Sequence, residues 1–114
     1  MNFLTILKWV AVTATGLTGL FSLFWPDKVY GFTGLQVSGP RGVTEIRAVL
    51  GGVFIALTIA VFLFDRITGM KVMGLVYLVI GLIRLVSIFI DHSAESSNWI
   101  SLAIEFAFAA VLLF

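Results

Sequence analysis

The sequence predicts an all-α integral membrane protein, four helices folded as an antiparallel bundle. Hydrophobic residues make up 61% of the 114 positions and charged residues 11%, a balance far from that of a water-soluble domain. The apolar residues gather into four runs, each near the roughly 20 residues that a helix needs to cross a bilayer core about 30 Å thick. The four runs fill positions 1–114 as a single transmembrane domain and leave no room for a soluble one. Zero cysteines exclude disulfides, thiolate metal sites, covalently attached haem and thiol redox chemistry. A net charge of +1 points to no nucleic-acid partner.

The first span is placed at about 3–25. Its apolar part is too long for a signal peptide, and "FSLFWPDK" lacks a small-x-small cleavage site. Trp9 and Trp25 lie about 24 Å apart along a helix, which sets an indole near each bilayer interface. After "WPDKVYGFTGLQVSGPRG" the second span runs at about 43–64, entered through "SGP" with Pro40 tolerated in a first turn. "DRITGMK" is a tight polar link, so the third span, about 72–90, returns antiparallel to the second. "DHSAESSN" breaks the chain again. Ser96 or Ser97 is expected to cap the fourth span, about 98–114.

Counting crossings puts both termini and "DRITGMK" on one side of the membrane, with Lys8, Arg66 and Lys71; the two longer loops share the other side with Lys28 and Arg41. The excess of lysine and arginine on the first side, three against two, favours cytoplasmic termini.

Charges within the apolar runs are the informative exceptions. Arg84 lies about 10 Å before Asp91, and Glu105 about 9 Å past Trp99, both measured from the same side. An unpaired charge at mid-bilayer costs several kcal/mol, so the two are expected to pair. Gly81, Arg84, Ser87 and Asp91 share one helix stripe, as do Ser101, Glu105 and Ala109. Small residues beside each charge let helices approach closely. Glu45 and Arg47 enter at the head of the second span on the same side; two residues apart, they cannot share a face, and at least one points outward. The expected polar cluster is therefore Glu45, Arg47, Arg84, Ser87, Asp91 and Glu105, with Gly51, Gly52 and Gly81 as packing residues.

At these residues the chain resembles a bacterial membrane family known as domain of unknown function 4345. The resemblance rests on "EIRAVLGG" (Glu45 to Gly52), on "GLIRLVSIFID" with its Gly-x-x-Arg and Asp91, on Glu105, and on "GFTGL" in the first loop. It implies a four-span bundle and no established activity, and its pattern falls on Glu45, Arg47, Gly51, Gly52, Arg84, Asp91 and Glu105. The chain departs from it at Leu50, where an aromatic is common, and at His92, where a glycine follows the aspartate. A more distant similarity is to DoxX-like four-helix membrane proteins, some of which associate with quinone-linked oxidoreductases.

His92, the one histidine, reads as a structural or surface residue, since a single imidazole in a polar loop makes no metal or haem site. No catalytic residue and no metal are assigned. Two readings stay open for the cluster. In one it is a clasp inside a non-catalytic accessory subunit that docks on other membrane subunits or on itself. In the other it is a site for an ion or an amphipathic ligand, a lipid or a quinone-like ring, held by the charged residues.

Overall fold

Four helices long and apolar enough to cross a membrane account for most of the chain, and there is no β-strand. The computed structural model describes every residue, Met1–Phe114. We label the helices α1 (Phe3–Phe24), α2 (Tyr30–Thr33), α3 (Pro40–Leu63), α4 (Arg66–Ile90) and α5 (Ser96–Leu113). Within α3 the residues Ile46–Gly51 form a π-turn between two α-helical segments.

The helix ends follow local chemistry. Asn2 caps α1: its side-chain oxygen accepts the Thr5 N–H and the Thr5 hydroxyl, both at 2.8 Å. Pro26 ends α1 after Trp25 and opens a single 3-10 turn, Pro26–Lys28. Gly34, at φ 74°, closes α2 in the left-handed conformation that glycine adopts without steric penalty.

Three boundaries differ from the sequence reading. The second apolar helix starts at Pro40 rather than Val43, with Pro40 in its first turn. The third starts at Arg66 rather than Val72, so "ITGMK" is helical and only Phe64 and Asp65 separate α3 from α4. Asp65 is the cause, since its carboxylate accepts the Thr68 N–H at 3.0 Å and the Thr68 hydroxyl at 2.9 Å. These bonds, the backbone N–H first and the hydroxyl second, hold the Asp65 carboxyl below the usual aspartate range. The last helix starts at Ser96, preceded by Glu95 in extended backbone; neither Ser96 nor Ser97 makes a side-chain cap.

The chain falls into two compact units, Val12–Gly69 and Met1–Ala11 with Met70–Phe114. Inside the first, α1 and α3 run antiparallel at very short range. A Cβ added to Gly19 would lie 2.9 Å from the Ile55 nitrogen, and one on Gly51 would lie 3.2 Å from the Gly19 oxygen and the Leu23 nitrogen. Backbone against backbone at this distance is the small-residue packing by which apolar helices associate. Thr18 and Ser22 donate their hydroxyls to the carbonyls four residues back, both at 2.8 Å, so polar groups on α1 are met within the helix itself.

Inside the second unit, α4 and α5 form an antiparallel hairpin across a five-residue link. A Cβ on Gly74 would meet Leu112 at 2.9 Å, and one on Gly81 would meet the Phe106 ring at 2.7 Å. The buried face of α4 is Met70, Met73, Tyr77 and Ile88; that of α5 is Leu102, Glu105, Ala109 and Leu112. Tyr77 sets its ring edge-on to Phe108, centroids 5.3 Å apart.

Two expectations follow. Gly19→Val forces α1 from α3 and lowers stability in detergent by about 1 to 3 kcal/mol, whereas Gly52→Ala, whose added Cβ meets nothing within 4 Å, leaves the thermal midpoint unchanged or higher. For Asp65 the sign is that of a depressed carboxyl: its stabilisation is full above the unfolded pKa and is lost as pH falls through the folded one. The Thr68 amide resonance, followed by NMR in micelles, titrates with a midpoint below that of an unstructured aspartate, and Asp65→Asn abolishes that titration.

Candidate functional site: a closed polar clasp

Arg84 sits on α4 one turn from Gly81, where the Phe106 ring of α5 presses against glycine backbone. That close approach brings the guanidinium to Glu105. The Arg84 Nε donates to Oε1 of Glu105 at 2.7 Å and an Nη donates to Oε2 at 2.8 Å, a bidentate fork. Glu105 is 8% exposed, and both its oxygens are engaged by one cation. A planar fork of this kind gains from geometry as well as from charge.

A further Nη of Arg84 donates to Oδ1 of Asn98 at 2.7 Å. The Asn98 amide nitrogen in turn donates to the carbonyl of Ser93 at 3.0 Å and to its hydroxyl at 3.1 Å. Asn98 and Glu105 stand seven residues apart on one face of α5, about two turns. The contacts of Gly74 and Gly81 fix a register in which Arg84 faces the interval between them. The relay Ser93, Asn98, Arg84, Glu105 thus fastens the link and both helices together. No buried side-chain nitrogen or oxygen is left without a partner.

Of the residues expected in the cluster, Arg84 and Glu105 come together. Ser87 is half-buried and makes no side-chain hydrogen bond, and Asp91 is exposed at the end of α4. Glu45 takes another partner: Arg41 donates its Nε to Glu45 Oε1 at 3.0 Å, an exposed pair one turn apart. Arg47 is exposed and forms neither an ion pair nor a side-chain hydrogen bond. Of the glycines, Gly51 and Gly81 lie in tight helix contacts while Gly52 faces open space.

Asn98 is the member that sequence reasoning missed, because it read as a helix boundary. The available signal was its spacing of seven residues from Glu105, which places an amide and a carboxylate on one helix face.

His92 is exposed at φ 52°, the left-handed region. It follows Asp91 at the end of α4, and the Ser93 N–H reaches back to the Ile88 carbonyl at 3.0 Å, the six-residue closure of a Schellman turn. The turn is one that glycine adopts without penalty, in line with the glycine expected here, and it gives His92 a backbone role.

A family described as a domain of unknown function (DUF4345) matches residues 3–114. The chain belongs to this family. No curated protein and no solved structure matches, so the distant likeness to DoxX-like proteins is not shown.

Removing one partner of the clasp strands the other charge. Glu105→Gln should therefore destabilise the detergent-solubilised protein by about 3 kcal/mol, and a paired Arg84→Met with Glu105→Leu by less than either single change. Asn98→Ala removes one charge-assisted bond and should cost about 1.5 to 3 kcal/mol. Thermal unfolding of these variants checks this order. His92→Gly, by contrast, relieves a left-handed non-glycine residue and should raise the thermal midpoint.

Proposed function

We propose that the protein crosses the membrane four times as an antiparallel helix bundle and serves as a non-catalytic interaction subunit of a larger membrane complex. The closure of the polar clasp carries this reading. The carboxylate at its centre has both oxygens held by one guanidinium, so it is poorly placed to accept a substrate proton or ligand. The bonds of the clasp run inward, between helices, and their evident effect is to fix how α4 packs on α5.

Membrane insertion is supported by the exterior. No more than 28% of any of the four apolar stretches is buried, and residues such as Leu17, Phe62, Ile83, Phe89 and Ile100 are each at least 60% exposed. Apolar surface on this scale calls for lipid or protein around it rather than water. The distribution of lysine and arginine favours cytoplasmic termini, and the resemblance to a bacterial membrane family points to an inner membrane.

The experiment is gentle extraction from native membranes followed by native mass spectrometry, together with extraction of Glu105→Gln. An interaction subunit retains a polypeptide at fixed stoichiometry, and the variant is lost as folded protein on extraction. Wild-type protein that carries no other chain and instead keeps a small molecule, released in a Glu105→Gln variant that stays folded, would give the cluster a ligand-binding role and end the accessory reading.

A further inference from the structure

Arg47 is a charge of α3 that the clasp does not absorb. In a regular α-helix it would share a face with Gly51, four residues on, and Gly51 is pressed against Gly19 and Leu23. The π-turn changes this. Its wider winding stacks residues five apart, which pairs Ile46 with Gly51, both buried, and sets Arg47 over Gly52. The Gly52 N–H bonded to the Arg47 carbonyl is the mark of that winding. A rare helical distortion thus turns a guanidinium off the packed face and leaves it exposed.

The guanidinium has no partner in the chain. The adjacent carboxylate, Glu45, is held by Arg41. Ala48, Val49, Gly52 and Val53, which surround Arg47 on its helix, are all exposed, and a Cβ on Gly52 would meet nothing within 4 Å. The surface beside the charge is apolar and low. Its level is set by the antiparallel contacts of Gly19 with Ile55 and of Gly51 with Leu23, which carry Arg47 to the height of the end of α1, near Trp25. An arginine about 10 Å along a spanning helix reaches the phosphate layer with its side chain.

We propose that Arg47 holds the phosphate of a net-anionic glycerophospholipid, with an acyl chain lying along the low surface at Gly52. Phosphate is the abundant anion at that level, and the guanidinium fork matches its oxygens two at a time. A net-anionic headgroup is preferred to a zwitterionic one because no carboxylate compensates Arg47. This inference rests on the membrane reading above. It is independent of the clasp.

The test titrates the purified full-length protein in detergent micelles with dioleoyl phosphatidylglycerol or dioleoyl phosphatidylcholine and counts retained lipids by native mass spectrometry. Wild type should hold one phosphatidylglycerol in preference to phosphatidylcholine. In Arg47→Gln its retention should fall about fivefold, and in Arg47→Lys, which keeps the charge without the fork, by less. Arg47→Lys also serves as the reporter if the glutamine variant does not fold. Equal retention of phosphatidylglycerol by folded wild type and both variants would overturn the proposal. So would a polypeptide that co-purifies with wild type and is lost in Arg47→Gln, since the guanidinium would then face a protein carboxylate. Alkaline carbonate washing of native membranes is the separate check on insertion: release of the wild-type chain would sink the membrane reading, while retention with no lipid preference would sink this one alone.

Discussion

The fork between Arg84 and Glu105 joins two helices at one level, and much else in the α4–α5 hairpin is arranged so that it can form. In the membrane proposed above, a guanidinium among apolar side chains cannot rely on water for its N–H bonds, so the protein must supply acceptors at hydrogen-bond distance. Acceptors on a neighbouring helix come that close only where the backbones do. Gly74 and Gly81 provide the approach, with Leu112 and Phe106 seated where side chains would otherwise stand. Asn98 then extends the network to Ser93, so the chain that links the helices is fixed by the same cation.

Two arginines show two solutions to one problem. Arg84 faces a neighbouring helix and is met by side chains. Arg47, near the head of α3, is turned outward by the π-turn, and its charge is left for the surroundings. The same distortion keeps Gly51 in register with Gly19, so the close contact of α1 with α3 is preserved while the charge is moved off it.

The helices were legible because composition and run length leave little choice: four apolar stretches separated by polar breaks can only be four long helices. The pairing of Arg84 with Glu105 was legible for a related reason, since each has the other as its natural counter-charge at similar depth. Features that depend on a single side chain meeting a single backbone group were not. Asp65 looked like part of a polar link, and only its bonds to Thr68 show that it starts a helix. Asn98 was hidden by its place in the first turn of α5. The π-turn has no signature in hydrophobic periodicity, because it shifts by one residue a face that is apolar on nearly every side; what it reorients is Arg47, and that shows only in the folded chain.

If the chain crosses the membrane as proposed, the order in which the clasp residues are made has a consequence for biogenesis. During synthesis Arg84 emerges before Glu105, and α4 by itself would present a lipid environment with an unanswered guanidinium, a state disfavoured by several kcal/mol. The carboxylate that answers it lies in the next helix, across a link of five residues. The hairpin, rather than either helix, is then the smallest piece that can leave the insertion machinery at low energy, and α4 should linger there until its successor arrives.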